Sequence, residues 1–207
     1  MYDIPYFKAA HPEEILAFMR AHPFALICGS DQEGRPVATQ IPFLFEQRED
    51  KLFLQGHCMK KQDHTHAFLK NPNVLVVFSG ADTYVSASWY ENKQIASTWN
   101  YQSVQAAGRI SFQDDGFLLR LLTRLTERFE KPGSPSLVQH MDPAYVKQMM
   151  QAIVSFEVEV NSFRHVFKLS QNRDRQSQAN IISRLNEQGG DAREIAKAMD
   201  ENNKNNA

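Results

Sequence analysis

The feature that most constrains the fold is a series of strand-length runs separated only by short helical patterns. Phe24 to Cys28 is a compact apolar run, Pro36 to Glu46 alternates imperfectly, and Lys51 to Gln55 follows a polar turn. Asn73 to Ser79 is β-branched and apolar, Thr98 to Gln113 reads as a long strand, and Val154 to Ser170 alternates through Phe156, Val158 and Val160. Asp31-Gln-Glu-Gly34 and Arg48-Glu-Asp50 are meander turns, which favour antiparallel pairing. This pattern predicts a mainly antiparallel barrel with flanking helices, α+β in class. Pro42 cannot donate to a ladder, so the second strand should be irregular or at an edge there. Gly80 is expected to break the fourth strand. Gly108, inside the fifth, should mark a bulge or a close backbone contact.

Helical spacing appears in between. His11 to His22 carries Pro12 at the first position and Glu13 and Glu14 in the first turn. Phe117 to Glu130 follows the capping residues Asp114 and Asp115, and Asp142-Pro143 opens a helix to about Ile153. Ile181 to Leu185 reads as a short helix, Gly189-Gly190 as a break, and Asp191 as the start of another helix. Asn202 to Ala207 is expected to be disordered. The expected division is a barrel domain over 1–173 and a helical extension over 174–207.

With 42% hydrophobic residues, a chain of 207 has enough for a real core. The 23 basic and 24 acidic side chains leave a net charge of −1, so no global field draws nucleic acid. Cys28 and Cys58 have no metal or disulfide spacing and fit reduced thiols. The first residues lack a basic region followed by an apolar run, and no stretch is apolar for long enough to span a bilayer. A soluble cytoplasmic protein without membrane contact is expected.

Chemistry concentrates in two stretches. Tyr84 to Tyr101 holds both Trp residues, Trp89 and Trp99, with Ser86, Ser88, Thr98 and Asn100 between and beside them. Flat faces with short polar groups suit a planar, partly polar ligand, although aromatics more often fill cores or interfaces. Gly56 to His66 ends a strand and enters a helix with Lys60 and Lys61 at the turn. Free N–H groups and the helix dipole attract an anion there. His57, His64 and His66 raise a metal reading, but no metal-type spacing supports it. Arg120, Arg124 and Arg128 recur at steps of four and could meet DNA phosphates. Glu127 and Glu130 dilute them, so a solvated face is the simpler reading. The chain lacks a Gly-x-Gly-x-x-Gly after a strand and a Gly-x-Ser-x-Gly elbow, which removes Rossmann and hydrolase readings.

Ser86-Ala-Ser-Trp-Tyr90 followed by Ser97-Thr-Trp-Asn-Tyr101 resembles the paired signature of the PaiB-type FMN-binding negative transcriptional regulators. Lys168-Leu-Ser-Gln-Asn-Arg173 matches that family closely. Ala38-Thr-Gln-Ile-Pro-Phe43 resembles its Ala-Thr-His-x-Pro-Phe, with Gln40 where His is common. Gly56, His57 and His64 match its Gly-His segment, with Lys60 in place of an Arg. The resemblance implies a six-stranded split β-barrel, a homodimer, and FMN at the subunit interface. It places Thr39, Gln40, Ile41 and Pro42 along the flavin ring and aligns Lys60 with the family's Arg; the strand end and helix start make Lys60 and Lys61 the phosphate candidates, with His57 and Ser88 as supporting donors. Ser86, Ser88, Trp89 and Asn100 complete the cofactor set, with no catalytic residue assigned. Three functions stay open: an FMN-binding regulator, a flavin-dependent oxidoreductase, and a haem or flavin carrier without DNA binding. The DNA contact rests on the resemblance alone.

Overall fold

The second strand run breaks where Pro42 lacks an amide proton. β2 (Pro36–Pro42) pairs with β1 (Phe24–Ser30), whereas β3 (Leu44–Arg48) pairs with β4 (Lys51–Met59). Between them Phe43 is fully buried, and its N–H donates to the Pro23 carbonyl at 2.8 Å. Six expected strands thus become seven. With β5 (Asn73–Val85), β6 (Thr98–Phe112) and β7 (Ile153–Lys168), the hydrogen-bonded order is β2-β1-β5-β6-β7-β4-β3. The computed structural model describes residues 1–9 and 11–205 and divides into two units. One, here the barrel unit, comprises 23–77 and 106–163; the other, the terminal unit, comprises 1–22, 78–105 and 164–207.

In the barrel unit the antiparallel sheet curls until β2 approaches β4. Gly56 makes the room: a Cβ there would lie 2.9 Å from the Phe156 ring and 3.1 Å from Ile41 Cγ2. α2 (Asp63–Lys70) packs on β1 and β2, with Phe68 seated against Gly29. α3 (Asp115–Phe129) starts where the Asp114 carboxylate accepts the Phe117 N–H at 2.7 Å. Its Leu121 and Leu125 pack on Leu44, and burying each leucine contributes about 1.5–3 kcal/mol. α4 (Pro143–Met150) is likewise capped by an aspartate, Asp142 accepting the Ala144 N–H at 3.0 Å ahead of Pro143 at the first position, but buries no side chain fully.

In the terminal unit α1 (Pro12–Ala21) buries Phe18 and Met19, and the Phe18 ring lies 5.2 Å from that of Phe167. Gly80 does not end its strand. A Cβ there would stand 2.9 Å from the Phe18 ring, so the glycine admits α1 and β5 continues to Val85. α5 (Arg175–Gln188) is longer than its apolar pattern suggests, because Asp174 caps it by accepting the Ser177 N–H at 2.8 Å. Gly189 at φ 76° separates it from α6 (Gly190–Asn205). Ile181, Leu185, Ile195 and Met199 are buried in this hairpin. Residues 202–205, expected to be disordered, belong to α6; the remaining part of that expectation, 206–207, lies outside the described residues. Among the described residues no helix is long and apolar enough to cross a membrane.

Two predictions follow from this packing. At Gly108 an added Cβ would lie 2.3 Å from the Glu159 carbonyl oxygen and 2.7 Å from Val158 Cγ1. Gly108→Ala should therefore destabilise the protein by about 1–3 kcal/mol, read as a lower urea midpoint with the slope unchanged. An unchanged midpoint would rule out the close approach. The second concerns acid. His165 Nε2 accepts the Ala9 N–H at 2.9 Å, and burial, then the Lys8 charge, hold its pKa below the usual value. Burial lowers that of His22 as well. Folded values below unfolded ones give stability that is present above about pH 6.5 and lost as pH falls through the folded values. The urea midpoint should fall between about pH 7.5 and about pH 5, and fall less in His165→Gln. An acid-stabilised wild type would contradict this.

Candidate functional site

The barrel unit gathers the candidates of β2, the end of β4 and the start of α2. β2 is an outer strand of the order, and its side chains alternate. Ile41 points inward at 4% exposure, Gln40 is exposed, and Thr39 and Pro42 are half-buried. Ile41 is also the residue that approaches Gly56, which joins the β2 segment to the strand end carrying His57. His57 is half-buried, and burial lowers its pKa, so the ring is neutral at pH 7. Its Nδ1 is buried with no hydrogen-bond partner. Directly opposite, in register on β7, Ser155 is fully buried and its Oγ is also unpartnered. Residues paired in this way share a face of the sheet.

The turn beyond is fixed by Thr65, whose hydroxyl donates to the Met59 carbonyl at 2.8 Å and lies 3.2 Å from Cys58 Sγ. Burial, offset in part by Thr65, raises the pKa of Cys58, so it is no thiolate nucleophile. The Lys60 N–H donates to Ala152 O at 2.9 Å and its Nζ to Met150 O at 3.4 Å, while Lys61 is exposed. Gln62 makes no side-chain cap to α2, which leaves the helix start to other acceptors. Asp63 works against an anion there: its carboxylate, 82% exposed, accepts the His64 N–H at 2.7 Å and so takes one of the amides at the helix start. Beside Lys60 a cavity of about 750 Å³ is lined by Leu119, Val138, Met141, Val146 and Met150; of the cofactor candidates only Lys60 reaches it.

In the terminal unit Ser86 and Ser88 flank a short 3-10 turn, Ala87–Trp89. Their hydroxyls bond each other at 2.8 Å. Trp89 is half-buried, and its carbonyl accepts from Asn180 at 3.1 Å. Asn100 is not free to meet a ligand. It is fully buried; its Oδ1 accepts from Ser170 at 3.1 Å and its Nδ2 faces Met199 Sδ at 3.5 Å. Its polar side chain serves the packing of β6. Trp99, by contrast, is 53% exposed, with Tyr84 edge-on at 6.1 Å.

Sequence reading missed a polar network in the barrel unit. Gln55, fully buried on β4, donates to Glu46 at 2.6 Å and to Glu157 at 2.8 Å, and accepts from Arg124 at 2.6 Å. Arg48 bridges Glu46 and Glu157. The Arg48 bond, with help from Gln55, holds the Glu46 carboxyl below the usual carboxylate range. The available signal was a glutamine in the apolar segment Leu-Phe-Leu-Gln-Gly of β4. Because Arg124 belongs to this network, the three arginines of α3 are not a uniform free stripe for phosphates. Among the described residues no cluster of three or more His, Cys, Asp or Glu could hold a metal ion.

Comparison with known proteins agrees with this architecture. The chain is 32% identical over 203 residues to the protease synthase and sporulation protein PAI 2 of Bacillus subtilis, spanning 97% of each. In fold it is similar to the FAD and heme binding protein of Mycobacterium smegmatis, with a TM-score of 0.59 at 17% identity, covering 83% of this chain and 78% of that one. The flavocytochrome Anf3 of Azotobacter vinelandii also gives 0.59, at 19% identity over 81% of this chain and 72% of that one. These likenesses carry the split-barrel fold. A family model described as "Putative FMN-binding domain" matches residues 1–162, and the chain belongs to that FMN-binding family.

Proposed function

We propose that the chain binds FMN specifically, through its barrel unit, and works as a cytoplasmic homodimeric regulator of the PaiB type. The observation that carries the cofactor reading is the buried, unpartnered Nδ1 of His57, on the residue paired in register with Ser155, whose Oγ is also unpartnered. Buried polar atoms almost always have partners, and a ligand oxygen or nitrogen supplies one here. Lys60 and Lys61 follow at the same strand end and offset a phosphate charge of about −1.5 to −2. Within the barrel unit, one phosphate-type site without a second nucleotide fingerprint favours FMN over FAD. Thr39, Gln40 and Pro42 offer the β2 segment to the ring system, with Ile41 packing beneath them. Ser86, Ser88 and Trp89 are retained from the family signature. FMN, when bound, supplies redox chemistry, and the chain supplies binding, orientation and exclusion of water. The regulator reading rests on the PaiB resemblance and the 32% identical relative. A gel-shift assay with its salt dependence tests the DNA contact.

Purified protein should show the visible spectrum of oxidised flavin, and the released ligand should have the mass of FMN. FAD as the ligand, or a protein colourless in excess FMN, would refute the assignment. A charge-assisted hydrogen bond contributes about 1.5–3 kcal/mol, so Lys60→Ala should weaken FMN binding roughly ten- to a hundredfold. Riboflavin, which lacks the phosphate, should bind as before. Equal losses for both ligands would mean that Lys60 shapes the site and does not hold the phosphate. The exposed Trp99–Tyr84 pair supports the dimer, since aromatic anchors are enriched at interfaces. Light scattering of the flavin-loaded protein at micromolar concentration should give twice the chain mass; a monomeric mass excludes the dimer.

A further inference from the structure

The segment from Lys168 to Arg173 matches its family closely, yet the flavin reading leaves it without a task. Its backbone is tightly held. Ser170 sits at φ 60°, in the left-handed region that favours glycine. Its carbonyl accepts the Arg173 N–H at 3.0 Å, and its hydroxyl donates to Asn100 at 3.1 Å. The Gln171 amide accepts the Leu169 N–H at 2.8 Å and donates back to the Phe167 carbonyl. Asp174 then caps α5. A turn determined this fully, with a non-glycine residue at positive φ, directs the side chains on either side of it.

Those side chains are two cations. Lys168 is half-buried; its Nζ donates to the Thr98 hydroxyl and stands 5.6 Å from the Tyr2 ring centroid and 5.9 Å from that of Phe7. The Arg173 guanidinium lies 4.7 Å over the Tyr90 ring, and its Nε is buried without a partner. Tyr90 is fully buried, and its hydroxyl, which lies close to the Arg173 guanidinium, has no further hydrogen-bond partner. Among the described residues no carboxylate pairs with Lys168 or Arg173; the acid nearest in sequence, Asp174, is bonded to Ser177. Burial first, and the Arg173 charge second, depress the pKa of Lys168, which places the two cations within each other's field. Like charges partly withdrawn from water without a counter-ion are costly, and so is each unmade buried hydrogen bond.

Every free polar function in this cluster can donate, and two of its members carry positive charge. We infer that Lys168, Arg173, Thr98 and Tyr90 form a binding site for the oxyanion group, carboxylate or phosphate, of a small molecule. The assignment stands on these four residues and does not depend on the flavin reading. The oxyanion has two possible sources, the phosphate of FMN or a separate metabolite, and both present the same chemistry to the four donors.

Isothermal titration of inorganic phosphate into the full chain tests the site. Wild type should bind phosphate, and Lys168→Gln and Arg173→Gln should each weaken it about tenfold. Should the glutamine variants fail to fold, Tyr90→Phe and Thr98→Val remove one hydroxyl each at nearly constant shape, and both should also bind phosphate more weakly. Repeating the titration on FMN-loaded protein separates the sources. If phosphate no longer binds, and Lys168→Gln weakens FMN but spares riboflavin, the FMN phosphate occupies the site. If phosphate binds the loaded protein as before, a separate anion does. A protein that binds no flavin but shows Lys168-dependent phosphate binding would end the flavin reading and keep this site. Wild type binding phosphate no better than Tyr90→Phe and Thr98→Val would overturn it.

Discussion

Curling a sheet brings backbones closer than side chains allow, and the barrel unit depends on the places where that approach is permitted. Gly108 is the harder of two such places. A Cβ there would meet a carbonyl oxygen of β7 at 2.3 Å, and no side-chain rotation relieves a clash with backbone. At Gly56 the obstacles are the ends of Phe156 and Ile41, which could yield somewhat. With β7 fixed at Gly108, its alternation sets both faces. Phe156 and Val158 go to the apolar core, and Ser155 and Glu157 go to the opposite face. Because Glu157 pairs with Gln55 and Ser155 with His57, one register decides both the ionic network and the candidate site.

The network shows how this chain handles buried charge when the purpose is structural. Glu157 is 7% exposed and is answered by Arg48 and by the Gln55 amide. Arg124 reaches in from α3 to close the set. Removing one partner from such a set leaves an uncompensated charge, which costs more than the pair contributes. Every polar atom of Gln55 is engaged, so α3 is held over β3 and β4 in a single arrangement. Nothing in this cluster calls for an outside partner.

Much of the fold was legible because alternation and turn chemistry are local. All six strand runs are strands, and the Pro12, Asp114 and Asp142 helix starts stand where capping chemistry puts them. Differences arose where a residue type has two uses. Glycine breaks strands and also admits neighbours; at Gly80 the neighbour is Phe18, from a segment far away in sequence. Proline at position 42 turned an irregularity into a change of partner strand. α5 was underestimated because only Ser177, Ile181 and Leu185 of its fourteen residues are buried, too sparse a stripe to read against so polar a background. For the candidate site, the sequence marks His57 and Lys60 by a strand end rich in basic residues. Asn100 stands out in the sequence because a polar side chain beside Trp99 suggests a ligand, and only packing reveals that its amide bonds internally to Ser170 and Met199. Ser155 could not be found at all, since its meaning lies in the β4–β7 register.

What remains unsatisfied is more informative than what is satisfied. His57 Nδ1 and Ser155 Oγ can each donate or accept, so on their own they do not choose the charge of a partner. The choice is made by their neighbours, and Lys60 and Lys61 tilt it toward an anion. The terminal unit gives a sharper answer. Ammonium and guanidinium have no lone pair to offer, and the Lys168 ammonium already donates to the Thr98 hydroxyl. A water molecule could fill the bonds there but could not offset the charge. A metal ion would be repelled. Among the described residues, the carboxylates that settle the same problem around Arg48 and Arg124 have no counterpart beside Lys168 and Arg173. A chain that pairs its buried charges in one unit and leaves two cations open in the other has reserved the second place for an anion it does not itself carry.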